Sequence, residues 1–376
     1  MKPIYLTSLY AASALCCAIL VPAPAGAQMS PNVTLYASGL EGPRGLRFGP
    51  DGNLYVAEAG TAGSQSTNSS QCAQVPSPVG PYHSGNTARI SKIDGAGHRM
   101  TVADGFPSSM DSLPTPGIEG VADIAFLDGQ LYAVTAGGGC SHGSMIPNSV
   151  VRVDLNTHNW SVVANLSDFL QTHPDKYPNA ADYEPDGTFY GMIAKDGLLY
   201  TVEPNHGQVF SISRGGDVKE VIDISENEGH IVPTSIAVHH DTFYVGNLGS
   251  FPVTPNASKI LKLGECDDHA AAALESCEDR SKLHVAGSRA GFTTVVATDF
   301  GPDGLLYVLE LSSVAGFPTP GAGKVVRITR QGVIEDVATG LVVPTGMTFG
   351  PDGQLYVSNF GAAPPGTGQI VRISIK

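Results

Sequence analysis

The sequence predicts an all-β protein, a six-bladed β-propeller whose last blade is closed by a strand from the N-terminus. Three observations predict it. The eleven-residue phrase FGPDGNLYVAE (Phe48–Glu58) returns as FGPDGLLYVLE (Phe300–Glu310) and as FGPDGQLYVSN (Phe349–Asn359); one supersecondary unit is being reused. The composition, 45 Gly and 27 Pro among 376 residues, suits short strands joined by tight turns and offers little to helices. Weaker copies fill the intervals between the strong ones at the spacing of propeller blades, about 45 residues.

Each copy encodes a strand, a turn and a second strand. Pro-Asp-Gly is a turn signal, with Pro presetting φ and Gly accepting a positive one. Leu-Tyr-Val is rich in strand formers. The degenerate copies are Val121–Thr135, Tyr190–Glu203 and Pro233–Asn247, so the second strands contribute Tyr55, Tyr132, Tyr200, Tyr244, Tyr307 and Tyr356. Third strands such as Ala88–Ile93 and Lys324–Thr329 follow, then fourth strands such as Arg99–Ala103 and Ile334–Ala338. The last copy ends with its third strand, Ile370–Ile375, while Val33–Leu40 (VTLYASGL) resembles the fourth-strand segment Asp336–Leu341 (DVATGL). The N-terminal segment should therefore complete the sixth blade and leave no exposed sheet edge. A sandwich would not reuse one turn sequence so faithfully, and a solenoid would have a shorter period.

Residues 1–27 read as a cleaved signal peptide: Lys2, an apolar run over Leu9–Val21 and the small residues Ala25-Gly26-Ala27. The propeller domain should span 28–376, with a periplasmic or secreted location and no membrane span. The formal net charge is −14, one unit more negative once Lys2 is removed, and Lys and Arg do not cluster. Nucleic acid is thus a poor partner, and cationic ligands or metal ions are favoured. A small molecule, a glycan or a protein remains as partner, with the protein itself monomeric. Four cysteines survive cleavage. In an oxidising compartment Cys72 should pair with Cys140 and Cys266 with Cys277; the rival, a thiolate metal site, would require closer spacing and added histidines.

A propeller's first strands lie beside its axis, which places candidate functional residues. The last residue of each second strand should reach the top rim of a central funnel, giving the ring Glu58, Thr135, Glu203, Asn247, Glu310 and Asn359. A second ring begins the first strands and includes Arg44 and Tyr190. Glu58, Glu203, Asn247, Glu310 and Asn359 together form an oxygen-rich set suited to Ca²⁺ or another divalent cation; a polar lining filled with solvent is the alternative. Long loops also open on the top face: Gly60–Thr87 with Cys72 and His83, Gly137–Asn148 with Cys140 and His142, and the insertion Asp168–Thr188. Loops gathered on one side of a scaffold are where binding is expected. His206, one short turn after Glu203, is the candidate acid or base, with Glu203 beside it. H-E-x-x-H and C-x-x-C are absent.

The stretch Phe292–Arg372, with FTTVVATDFGPDGLLYVLE, GKVVRI and GLVVPTGMTFGPDGQLYVSNFG, resembles the ScyD/ScyE family of exported NHL-type propeller proteins. ASGLEGPRGLRFGPDGNLYVAEAG (Ala37–Gly60) and Val232–Leu263 extend the likeness. The resemblance implies an exported binding scaffold, and the family name implies an accessory role in late assembly of an aromatic metabolite. It brings no catalytic residues to carry over. The chain also departs from the family's usual patterns: IEGVADIAF stands where Pro-His-Asp is common, and EPNHGQ where Ala-Gly-Gly-Asn is common. More distantly, an SMP-30-like shape with Glu and Asn at the funnel is similar to calcium-dependent lactonases, which would make the protein a metal-assisted hydrolase or lyase.

Overall fold

The computed structural model describes residues 28–181, 183–266 and 282–375. The leader 1–27 and Cys277 lie outside these residues. Strand β1 (Val33–Leu40) precedes the first blade, which comprises β2 (Pro43–Phe48), β3 (Leu54–Glu58), β4 (His83–Ile93) and β5 (Arg99–Met110). A short β6 (Ile118–Glu119) adds a fifth strand to that sheet. The second blade is β7 (Val121–Leu127), β8 (Gln130–Thr135), β9 (Ser149–Val153) and β10 (Trp160–Asn165). The third is β11 (Met192–Lys195), β12 (Leu198–Glu203), β13 (Gln208–Ile212) and β14 (Val218–Asp223). The fourth is β15 (Pro233–His239), β16 (Thr242–Asn247), β17 (Ser258–Glu265) and β18 (Leu283–Phe292). The fifth is β19 (Val295–Phe300), β20 (Leu306–Glu310), β21 (Gly323–Ile328) and β22 (Ile334–Leu341). The sixth holds β23 (Gly346–Phe349), β24 (Leu355–Asn359) and β25 (Gly368–Ile373).

Each blade is an antiparallel sheet, and the sixth is ordered β1-β25-β24-β23. β1 pairs with β25 from Val33↔Ile373 to Leu40↔Gly368, the closure expected from the sequence. The first strands β2, β7, β11, β15, β19 and β23 touch in cyclic order, β23 returning to β2. Hydrophobic core fills the spaces between blades: Tyr55 and Ile90 of the first pack with Ile124 and Val151 of the second, and Leu40, Leu46 and Ile370 join the sixth to the first.

The repeated phrase has a specific use in this packing. In its three full copies the turn Asp accepts a hydrogen bond from the Tyr hydroxyl four residues later: Asp51–Tyr55 at 3.1 Å, Asp303–Tyr307 at 3.0 Å and Asp352–Tyr356 at 3.2 Å. The turn glycines Gly52, Gly304 and Gly353 hold φ of 77°, 74° and 71°, open to glycine at no steric cost. Each Tyr ring then receives, edge-on, a Phe at the end of the next blade's first strand or one residue before it. The pairs are Tyr55–Phe126, Tyr307–Phe349 and, across the closure, Tyr356–Phe48, with ring centroids 5.1, 4.9 and 5.0 Å apart.

Two features differ from the expectation raised by the sequence. The β4–β5 hairpin runs on to His83 and Met110, well past the expected strands, and carries the chain over the top face to β6. The insertion expected as irregular loop begins with helix α1 (Leu166–Thr172), whose N-cap Asn165 side chain accepts from the Asp168 N–H at 3.1 Å. Among the described residues no helix is long and apolar enough to cross a membrane.

Tyr307 is fully buried, so Tyr307→Ala should destabilise the protein by about 3–5 kcal/mol. Tyr307→Phe, which keeps the ring and loses the Asp303 bond, should cost about 1 kcal/mol. Urea unfolding measures both; equal losses would contradict a fold held by the ring contact.

Candidate functional site at the top face

The expected funnel ring is a set of latches within the blades. Glu58 accepts the Glu41 N–H at 2.7 Å, Glu203 the Thr188 N–H at 2.8 Å, Glu310 the Thr293 N–H at 3.0 Å and Asn359 the Val342 N–H at 2.7 Å. Asn247 donates to the Ile231 carbonyl at 2.8 Å and accepts the Lys259 N–H at 2.7 Å. Thr135 accepts the Ser149 N–H at 2.9 Å. All six are buried. Their side chains satisfy backbone groups on the segment leading into the same blade's first strand or on the adjoining third strand, where an unpaired N–H would be costly. Glu58 also carries an ion pair to Arg99 at 2.9 Å. The structure therefore does not bring Glu58, Glu203, Asn247, Glu310 and Asn359 together around one ion, because second strands stand one position back from the axis.

The axis itself is lined by Gly45, Arg47, Asp123, Tyr190, Thr234 and Thr298 among others, and holds a cavity of about 20 Å³, room for roughly one water. Arg47 fills it, donating to the Met347 and Met192 carbonyls at 3.4 Å and lying 3.9 Å from Asp123. Burial raises the carboxyls of Asp123 and Asp299, and the Arg47 charge opposes that rise. Tyr190 donates to the Thr345 carbonyl at 3.0 Å, and Arg44 donates to the Ile118 carbonyl. This channel is plugged; a small-molecule ligand has to sit elsewhere.

The top-face loops form the alternative. The disulfide Cys72–Cys140 joins the first two of them, with Cα atoms 6.2 Å apart, as the sequence suggested. After β8 the chain passes Gly137-Gly138-Gly139 and makes a single 3₁₀ turn over Cys140–His142. A Cβ on Gly139, whose φ is +95°, would fall 2.2 Å from Asp186 Cγ, so only glycine lets this loop reach the third-blade insertion. There Ser141 donates twice to Asp186 Oδ2, from N at 2.7 Å and Oγ at 2.6 Å. Asn148 braces the same junction, accepting from Gly138 N and donating to the Gly187 carbonyl, each at 2.7 Å.

This bracing buries His142 completely and sets its Nε2 2.7 Å from Glu184 Oε2. The Tyr82 hydroxyl donates to Glu184 Oε1 at 3.2 Å, and its ring lies 4.5 Å from that of His142. Glu119, delivered by β6, completes the group: one ligating atom from each of Glu119, His142 and Glu184 lies within 4.8 Å of the other two. Glu119 Oε2 and His142 Nδ1 are buried without hydrogen-bond partners. Burial, and then the neighbouring Glu184 charge, push the Glu119 carboxyl up to about 8. Burial alone would lower His142, but the hydrogen bond and charge of Glu184 outweigh it and push it up to about 9. Strong perturbation of two groups in one cluster marks a functional-site candidate.

His206 borders this group. Its Nε2 lies 3.0 Å from the Glu184 carbonyl, its N–H donates to Glu203 at 2.5 Å, and its ring stacks on Tyr183 at 5.3 Å. Because a carbonyl only accepts, Nε2 carries the proton, and the buried Nδ1 has no partner. His83 is exposed and stands apart from the group.

No protein-family model matches the chain, nor does any curated protein. Many solved structures share its fold. A protein provisionally described as an oxidoreductase (glucose dehydrogenase) from Thermus thermophilus is 16% identical, with 92% of this chain and 100% of that chain covered and a TM-score of 0.55. A gluconolactonase from Xanthomonas campestris is 11% identical over 91% of this chain and 89% of its own, at a TM-score of 0.52. An auxiliary nutrient binding protein from Bacteroides thetaiotaomicron is 11% identical over 92% and 76%, at 0.54. At these identities the likeness is one of fold, and an enzyme and a binding protein stand side by side on it.

Glu119 and His142 keep their protons in the folded protein to a higher pH than in the unfolded chain, so folded protein binds more protons through neutral pH and stability falls as pH rises. In chelator-treated protein the melting temperature should decline from about pH 6.5 to pH 9, and less steeply in Glu119→Gln. A flat or rising melting temperature over that window would contradict the burial of these groups.

Proposed function

We propose that this chain is an exported propeller, of the kind its ScyD/ScyE-like motifs suggest, that binds a small polar molecule on its top face beside Glu119, His142 and Glu184. One observation carries the reading: three separate loops converge, under a disulfide, on a buried polar group with unmatched hydrogen-bonding atoms, whereas the axis is plugged by Arg47. The ligand chemistry that suits it carries hydroxyl and carbonyl or carboxyl groups, since Glu119 Oε2 and His142 Nδ1 are hydrogen-bonding atoms left without partners in one region.

The second reading, a hydrolase or lyase acting on such a molecule, is favoured by the same cluster. A carboxyl held protonated near neutral pH beside an ionised one is the arrangement that acid–base chemistry uses. Glu119 would then protonate a leaving oxygen and His206, through Nδ1, would accept a proton. Lactone opening fits this set, and the gluconolactonase that shares the fold lends it a substrate class to try.

A thermal-shift screen with aldonolactones, sugar acids and short glycans tests the first reading, and pH-indicator hydrolysis of an aldonolactone tests the second. At least one probe should raise the melting temperature of the wild-type protein, with the shift lost in Glu184→Gln and kept in Glu310→Gln. A shift that survives Glu184→Gln, or none from any probe, would overturn the placement of the site.

A further inference from the structure

We propose that Glu119, His142 and Glu184 hold a divalent transition-metal ion of the Zn²⁺ type. The proposal rests on this cluster being the functional centre, and it differs from the sequence expectation in both ligands and ion, since that expectation put Ca²⁺ on the Glu and Asn latches.

Three features carry it. The first is charge. Two carboxyl groups meet in one cluster, where His142 is bonded to Glu184 at 2.7 Å and the charges of His142 and Arg44 act on Glu119. Glu119 Oε2 is left buried with nothing to bind, which a cation would resolve and which is costly otherwise. The second is spacing. The three ligating atoms lie within 4.8 Å of one another; ligands each about 2.1 Å from a common ion sit at most about 4.2 Å apart. In a tetrahedral site such ligands stand about 3.4 Å apart, so side-chain rotations of under about an ångström on each ligand would close the set.

The third feature is the donor set. Ca²⁺ takes about six to eight oxygen ligands, but here one ligand is an imidazole, and the neighbouring carboxylate of Asp186 is already engaged twice by Ser141. Two carboxylates and one imidazole match the three-ligand sites of Zn²⁺ and its first-row neighbours, in which a remaining coordination position stays open for water or ligand. The glycine loop, the third-blade insertion and β6 deliver the ligands from three elements, and the disulfide ties the glycine loop to its neighbour, which preorganises the set. Bound there, the ion would present a Lewis acid to a carbonyl-bearing molecule at the top face.

Calorimetric titration of chelator-treated, full-length mature protein with Zn²⁺ alone tests this, since no small molecule enters the measurement. The wild type should take up a single Zn²⁺, and Glu119→Gln and His142→Ala, with unchanged circular dichroism, should weaken it by about 100-fold or more; Ca²⁺ should not compete. X-ray absorption at the zinc edge of the wild-type complex should show imidazole scattering, a result independent of whether the variants fold. Absence of Zn²⁺ uptake by folded wild type, uptake without imidazole scattering, or equal affinity in both folded variants would overturn the proposal. Retained binding of a lactone or sugar acid by metal-free protein would then leave the binding reading standing, while Zn²⁺ uptake without any small-molecule binding would do the reverse.

Discussion

A Tyr ring pinned at its hydroxyl by the Asp of its own turn, and struck edge-on by a Phe from the next blade, is the contact on which this propeller's geometry rests. The Asp–Tyr bond fixes where the ring stands within a blade, and the Phe then fixes where the next blade stands against it. Aromatic edge contacts contribute only about 0.5–1.5 kcal/mol each beyond the area they bury, but they act between blades, where no strand-to-strand hydrogen bonds run. The contact between Tyr356 and Phe48 closes the series across the same junction that β1 and β25 seal. A ring fastened in this way leaves only the short outer edges of its blades and presents two broad faces for function.

The two faces are unequal because the long loops leave from the ends of the second strands. Blades must satisfy the backbone groups that flank those ends, and a Glu, Asn or Thr closing the second strand does so. That structural duty consumes the residues that look most like a ring of ligands. Meanwhile Arg47 neutralises Asp123 and Asp299 along the axis and fills the space a ligand would need. Two latches, Glu310 and Asn359, keep an unmatched polar atom each, but neighbouring ones gather at Glu119 and His142, where loops from different blades meet, and at His206 beside them. Buried polar groups without partners are uncommon in native proteins, and three of them lie in this one neighbourhood.

Much of the fold was legible in the residues themselves. The repeated phrase announced the blades, the likeness of VTLYASGL to DVATGL announced the closure, and the cysteine count announced the Cys72–Cys140 bridge. The candidate site was legible only in outline. His142 and the Asp168–Thr188 insertion lay in loops marked as a binding face, yet Glu119 and Glu184 carried no signal, since each lies outside the repeat and meets its partners only through tertiary packing. The glycines at 137–139 were the available clue: a run with no helix after it implies close backbone approach to something, which proved to be Asp186. Glu58, Glu203 and Glu310 were read at the correct strand position and given the wrong neighbours. Their side chains turn into the blade, toward backbone N–H groups that a sequence repeat does not display.

The claim that function resides in the loop-borne cluster, with the latches and the axis serving structure, has a direct test. Crystals of residues 28–376 soaked in Zn²⁺ and measured at the zinc edge would yield an anomalous difference map of the whole ring. A peak bounded by Glu119, His142 and Glu184 is the expected result. A map whose strongest peak lies on the axis or among Glu58, Glu203 and Glu310, with nothing at His142, would contradict the claim.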